Sequence, residues 1–305
     1  MAARDELEQA ERRLFARYDL EVITRRVALA DPPLGVRVLE SGAGEPPVLL
    51  VHGSGMAAST WAPMLQHLRD RRAIAVDLPG FGLSDPYDYS GRPLRAHAVA
   101  QLTSVLDALA LERVPIVGTS LGAMWALCMA LDRPQRVSAV AALGVPAVAL
   151  PGMHGDPFFT AMTTPVVGSI LSRLPPPPTA GVVRRTMRGA IGSDTVARLP
   201  DEVFEVIRQI MRQPGWKQAM RTHLPLALKA GRQRMENALT DDELRRIEAP
   251  VLFIWGTDDV YGPPSIGERA VAVMPDARLE VIPGGGHAPF FDDPQRCAAL
   301  VERLG

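Results

Sequence analysis

The chain has only two cysteines, Cys128 and Cys297, set far apart in apolar stretches, with no CxxC pair and no histidine at ligand spacing beside them. That scarcity excludes a disulfide framework or a cysteine-based zinc site and leaves buried, reduced thiols as the expectation. The six histidines are dispersed, and neither HExxH nor DxDxDG occurs, so no metal is expected. An excess of charge of one sign is also missing. Thirty-three Lys and Arg stand against 34 Asp and Glu, for a formal net charge of −1. The arginines are scattered, so there is no footprint for nucleic acid or an anionic membrane. No uninterrupted apolar run is long enough to span a bilayer, and residues 1–11 lack the apolar core and cleavage site of a signal peptide. The expectations are a cytoplasmic location, a small-molecule partner, no membrane insertion and no cofactor. Oligomeric state is left open.

What is present suits one large folded unit. At 305 residues, 47% hydrophobic and 22% charged, the chain can bury a core as a single α/β domain carrying an insertion. Leu7, Ala10, Leu14 and Tyr18 recur at helical spacing in the first ~20 residues, which read as an accessory helix packed on the domain. Strand-like runs follow at Glu21–Leu29, Gly35–Glu40, Pro47–Val51, Arg72–Val76, Val114–Val117, Val137–Leu143, Val251–Trp255 and Arg278–Ile282. Helical patterns at Ser59–Leu68, Pro93–Leu109, Leu121–Leu131, Ser265–Met274 and Pro294–Leu304 separate them. Such alternation implies a mostly parallel central sheet flanked by helices.

The alternation stops between about Val145 and Asp241, where helical stretches such as Pro200–Arg212 and Gly215–Lys229 appear, with Pro175–Pro178 as a stiff linker. The expected division is a core of 1–144, a mostly helical cap of 145–240, and the rest of the core in 241–305. Apolar cap residues Met153, Phe158, Phe159, Met162, Val166 and Val167 could line an acyl pocket or simply pack the cap onto the core.

Gly118-Thr-Ser120-Leu-Gly122 lies between an apolar strand and an apolar helix, the context of a G-x-S-x-G nucleophile elbow. The bland alternative is a helix N-cap serine between turn glycines. A serine hydroxyl is a poor nucleophile at neutral pH and needs a base, itself oriented by a third group. His287, in Gly284-Gly-Gly-His287 just past the last strand, is the candidate base. His67, His97, His154 and His223 read as ordinary surface or core residues. Trp255-Gly-Thr-Asp258-Asp259 follows the penultimate strand and puts an acid on the neighbouring loop, so the chain order is Ser, Asp, His.

These motifs, with His52-Gly-Ser-Gly55, Asp77–Asp85 and Gly286-His-Ala-Pro289, make the chain resemble the α/β-hydrolase family over nearly everything outside the cap. The resemblance implies Ser120 as nucleophile, His287 as base and, through the pattern G-x-x-D, Asp259 rather than Asp258 as the triad acid. It also implies an oxyanion hole made by the backbone N–H groups of Ser54 and Leu121. The function implied is a serine hydrolase cleaving a small or medium, hydrophobic carboxylic ester or lactone. A C–C-bond hydrolase or a cofactor-free perhydrolase on the same triad are the alternatives. C–C-bond hydrolases share His-Gly-Ser-Gly, but continue with Pro-Gly and follow the histidine with Trp, where this chain has Met56-Ala57 and Ala288. A rival of another class reads Gly53-Ser-Gly55-Met-Ala-Ala58 as a dinucleotide-binding turn with Asp77 as its ribose-binding acid. That reading leaves Ser120, Asp259 and His287 unexplained.

Overall fold

A computed structural model of the chain describes residues 2–168 and 178–304. An N-terminal helix, α1 (Ala2–Arg17), leads into strands β1 (Ile23–Ala28), β2 (Gly35–Ser41) and β3 (Val48–Val51), the one-turn helix α2 (Ala62–Leu65) and β4 (Ala73–Val76). Helix α3 (Leu94–Ala108), β5 (Val114–Thr119), α4 (Leu121–Asp132) and β6 (Val137–Leu143) follow. Next come α5 (Pro157–Thr163), α6 (Ala180–Ile191), α7 (Ser193–Arg198), α8 (Asp201–Ile210), α9 (Pro214–Ala227) and a small hairpin, β7 (Leu228–Lys229) with β8 (Arg232–Gln233). The chain then closes with α10 (Asp241–Arg245), β9 (Val251–Gly256), α11 (Ser265–Val271), β10 (Ala277–Ile282), α12 (Pro289–Asp292) and α13 (Pro294–Glu302).

Eight strands form one sheet in the order β1-β2-β4-β3-β5-β6-β9-β10. Strand β2 alone runs against the rest, pairing antiparallel with β1 on one side and β4 on the other. Strands β3, β5 and β9 are buried along their whole length, as their unbroken apolar runs demand of strands covered on both faces. The pleat sends alternate residues to opposite cores. Leu49 and Val51 join the cluster under α3, α4 and α11, while Val48 and Leu50 join the one under α1, α2 and α13. From β3 the chain moves out to β4, then crosses back to β5 on β3's other side, so strand order reverses between β3 and β5. The crevice at the carboxyl ends of strands flanking such a reversal is where open α/β sheets bind ligands.

Two sequence expectations need correction. Ser59–Leu68 is not one helix: Ala58–Trp61 is a 3-10 turn, α2 is a single turn with Pro63 as its second residue, and His67 and Leu68 close i→i−3 turns on Met64 and Leu65. Ser59, Thr60 and Trp61 are poor helix formers, and the Thr60 hydroxyl bonds the Ala57 carbonyl instead. The helix expected over Gly215–Lys229 stops at Ala227, and Leu228–Lys229 pairs with Arg232–Gln233. The turn residues Ala230 and Gly231 both have positive φ, as a type I′ hairpin requires. Most of Pro175–Pro178 lies outside the described residues.

Helix α1 packs chiefly on α8 of the insertion rather than on the sheet alone. Its Glu11 forms two hydrogen bonds of 2.6 and 2.8 Å with the buried Arg37 of β2, and the Arg37 Nε donates to Asp77 Oδ2 at 2.7 Å. Asp77 also accepts from the amides of Ala58 and Leu83. This carboxylate is fully buried and saturated, so it cannot hold a ribose, and the dinucleotide reading loses its acid.

Candidate active site

Each candidate residue follows the carboxyl end of a sheet strand. At the end of β5 the backbone turns so sharply that Ser120 adopts φ 52° and ψ −114°, a left-handed conformation unusual for a non-glycine residue and costly unless the surroundings enforce it. The enforcement comes from close packing. A Cβ on Gly118 would lie 2.2 Å from the Gly122 carbonyl carbon, and one on Gly122 would lie 2.0 Å from the Val51 carbonyl oxygen. Both positions therefore exclude any side chain, and helix α4 can start hard against β3. The Ser120 hydroxyl does not cap α4, so the bland reading of a capping serine does not describe it.

On the loop after β9, Asp259 is 7% exposed. Its Oδ2 accepts from the Val145 amide at 2.9 Å and its Oδ1 from the Tyr261 amide at 3.0 Å. Both oxygens face His287 Nδ1, at 2.9 and 3.1 Å. A carboxylate accepts, so Nδ1 carries the proton and Nε2 is left as the basic nitrogen. The neighbouring Asp258 is exposed and, among the described residues, its carboxylate accepts only from the Thr257 hydroxyl, at 2.9 Å. The structure thus brings Asp259 to His287 and leaves Asp258 out.

The glycine loop carrying His287 is held by backbone and side-chain hydrogen bonds, among them the 2.9 Å bond from the Asp258 amide to the Gly285 carbonyl. The Thr257 hydroxyl accepts from the Gly284 amide, Asp292 Oδ2 accepts from the Gly286 amide at 3.0 Å, and the carbonyl of Ala190 in α6 accepts from the His287 amide at 3.3 Å. Asp292 also accepts from the Thr195 hydroxyl of α7, and burial raises its pKa above the usual carboxylate range.

Ser54, Ser120 and His287 line one cavity, partly open to solvent. Its walls are mostly apolar, from Met56, Phe158, Phe159, Met187, Ile207 and Phe290 among others, and no Lys or Arg lines it among the described residues. Phe158 and Phe159 therefore do both things weighed for them, lining the cavity and packing on the core. Met153 and Met162 only pack. Val166 and Val167 do neither and stand 71% and 44% exposed. Of the two amides expected to form an oxyanion hole, that of Leu121 opens α4 and has no intrahelical acceptor. The Ser54 amide donates to no acceptor among the described residues.

Four residues near this cavity were not singled out from sequence. Tyr261 packs edge-on against the His287 ring, centroids 4.3 Å apart, and donates its hydroxyl to Asp156, the N-cap of α5, at 2.9 Å. Trp216 Nε1 donates to the Gly55 carbonyl at 2.9 Å. His223, passed over as ordinary, is fully buried with Nε2 3.0 Å from the Ser54 hydroxyl. Trp216 and His223 lie seven residues apart on α9, two turns along one face, which was the available signal. His52, by contrast, ties two loops together: its Nδ1 donates to the Gly53 carbonyl and its Nε2 accepts from the Leu78 amide. Cys128 and Cys297 are buried free thiols, and burial pushes Cys128 up to about 12. No helix among the described residues is long and apolar enough to cross a membrane.

The fold and this edge of the sheet define a hydrolase of the α/β class. The chain belongs to the alpha/beta hydrolase family, whose profile matches residues 48–300. Among its relatives are 2-hydroxy-6-oxononadienedioate/2-hydroxy-6-oxononatrienedioate hydrolases from Cupriavidus pinatubonensis, 30% identical over 84% of this chain and 86% of that one, and from Paraburkholderia phymatum, 31% identical over 89% and 91%. Among solved structures, carboxylesterase CesB of Bacillus subtilis is similar in fold, with a TM-score of 0.77 and 20% identity over 100% of this chain and 98% of that one.

Proposed function

We propose that the chain is a serine hydrolase that cleaves an uncharged ester or lactone of a small or medium hydrophobic acid, with residues 145–240 acting as the cap. The observation that carries this reading is the Asp259–His287 pair, which leaves a neutral imidazole nitrogen in the same cavity as an uncommitted Ser120 hydroxyl. Ser120 Oγ attacks the carbonyl carbon while His287 Nε2 takes its proton. The developing oxyanion sits against the Ser54 and Leu121 amides, each such donor contributing roughly 3 kcal/mol to transition-state stabilisation. His287 then returns the proton to the leaving alcohol, and the acyl group on Ser120 is hydrolysed by a water from which His287 removes a proton.

A second reading, C–C-bond hydrolysis on the same residues, draws on the relatives whose names print a dioate substrate. A dioate brings two carboxylates, and burying unpaired charge costs several kcal/mol. The described cavity wall offers no cation and one carboxylate, Asp156, which supports an uncharged substrate. The test is labelling by a fluorophosphonate together with hydrolysis of p-nitrophenyl esters of graded chain length, for the natural chain and Ser120→Ala. Ser120→Ala should lose both labelling and hydrolysis while keeping its fold. Retained labelling would remove Ser120 as nucleophile, and turnover of a C–C-bond dicarboxylate faster than of any ester would reverse the choice of substrate.

A further inference from the structure

Helix α9 grips the loop after β3 at two points. Trp216 Nε1 donates to the Gly55 carbonyl, and two turns later His223 meets the Ser54 hydroxyl at 3.0 Å. The direction of the second bond can be deduced. His223 Nδ1 lies 2.8 Å from the Ala219 carbonyl, which can only accept, so Nδ1 carries the proton. Nε2 of a neutral imidazole then accepts, and Ser54 is the donor. Burial favours the same neutral state, pushing the His223 pKa down to about 4. Phe81 and Tyr89 pack edge-on against the ring at 5.7 Å and hold its orientation. The Ser54 hydroxyl is therefore tied to a fixed acceptor on the insertion, and its side chain cannot rotate without leaving a buried nitrogen unpaired, at a cost set by desolvation.

We propose that His223 is a positioning residue: by accepting the Ser54 hydroxyl it fixes the Gly53–Gly55 loop, so that the Ser54 amide is aimed at the oxyanion before substrate arrives. This rests on the serine-hydrolase reading above. Its consequence is that the cap contributes to the transition state as well as to binding. An oxyanion donor held in place acts chiefly on kcat, because it meets charge that develops only in the transition state.

The experiment is a double-mutant cycle on Ser54→Ala and His223→Asn, with His223→Gln as the conservative control. The Gln amide reaches the position of Nε2 and keeps an acceptor for Ser54, whereas Asn keeps a polar group near Ala219 but withdraws that acceptor. His223→Asn should lower kcat on a p-nitrophenyl ester about tenfold, part of the ~10²–10³ that removing one oxyanion donor costs, with KM changed less than kcat. His223→Gln should recover most of the loss, and His223→Asn should add little once Ser54 is Ala, because the two act as one unit. Losses that multiply in the double variant, or Gln as impaired as Asn, would overturn the proposal. Should His223→Asn fail to fold, His223→Leu takes its place in the cycle with the same two outcomes. Ser120→Ala is labelled with fluorophosphonate alongside. Labelling that survives there sinks the serine-hydrolase reading, while lost labelling with an additive cycle sinks only the role of His223.

Discussion

The sheet edge and the helical insertion contribute to one cavity by different physical means. At the sheet edge, backbone geometry dominates. Ser120 is strained, Gly118 and Gly122 are held to zero side chain by neighbouring carbonyls, and Asp259 is fixed by two amides before it meets His287. In the insertion, side chains reaching across the sequence dominate. His223 contacts Ser54, Trp216 contacts Gly55 and Asp156 contacts Tyr261. Constraints of the first kind act within a few residues and leave motifs. Those of the second kind join residues more than a hundred positions apart and leave none.

The largest test of this contrast falls on the adjacent acids of the sheet edge. Asp259 has three hydrogen-bond partners, the amides of Val145 and Tyr261 and the Nδ1–H of His287, and all three are donors. In Asp259→Asn the new NH₂ must oppose one of them. Because the two backbone donors cannot change, the imidazole is the partner that yields, giving up its proton at Nδ1 for one at Nε2, where it can no longer act as base. The expected fall in kcat is ~10⁴-fold, as when a triad acid becomes an amide. Asp258→Asn removes one exposed contact to Thr257 and should change kcat by no more than about twofold, equivalent to ~0.5 kcal/mol. Measuring kcat for both variants checks the assignment, and the reverse ranking would move the acid to Asp258.

Next in size is an acid sensitivity placed at the seam between the two regions. Burial lowers the pKa of His223 from 6.5 to about 4. Below pH 6.5 the unfolded chain binds a proton that the folded chain refuses, so this group's contribution to stability is complete above 6.5 and is lost as pH falls towards 4. The full shift corresponds to about 3 kcal/mol. Burial also lowers the pKa of His52, and adds loss of the same sign. Urea unfolding followed from pH 7 to pH 4.5 should therefore show stability falling more steeply for the natural chain than for His223→Gln. Parallel curves would mean that His223 is not held neutral.

Legibility followed the same division. The central strands were readable as runs alternating with helices because β3, β5 and β9 are buried on both faces and so carry unbroken apolar stretches. Helix α2 was overextended because Thr60 satisfies the backbone locally, which periodicity cannot register. Ser120 and the Asp259 loop were legible through their glycines and spacing. His223 was not: its spacing from Trp216 puts the two on one face of α9, but what gives the histidine significance is Ser54, 169 positions earlier. The Glu11–Arg37–Asp77 cluster was hidden for the same reason: Asp77 stood out as the start of a loop motif, but nothing in the sequence joins it to Glu11 and Arg37, which the fold buries with it.

The smallest effect separates the two roles weighed for the apolar cap residues. Phe159 lines the cavity and packs on Tyr261, ring centroids 5.7 Å apart, whereas Val166 is 71% exposed and touches neither cavity nor core. Burial of each methylene in an apolar site contributes about 0.8 kcal/mol, or roughly fourfold in affinity. A long acyl chain should therefore feel the loss of the Phe159 wall while an acetyl group should not. Phe159→Ala is expected to lower kcat/KM for a long-chain p-nitrophenyl ester by about tenfold, an apolar contact of ~1–2 kcal/mol, and to leave the acetate nearly unchanged, flattening the chain-length profile. Val166→Ser should leave the whole profile in place and shift stability by less than about 0.5 kcal/mol. If Phe159→Ala lowered all esters equally, the ring would act through Tyr261 and the His287 loop rather than on the acyl chain. The insertion would then serve to hold the sheet edge in place, as it does at Ser54, and acyl preference would have to come from the remaining walls, Met187 and Ile207 first among them.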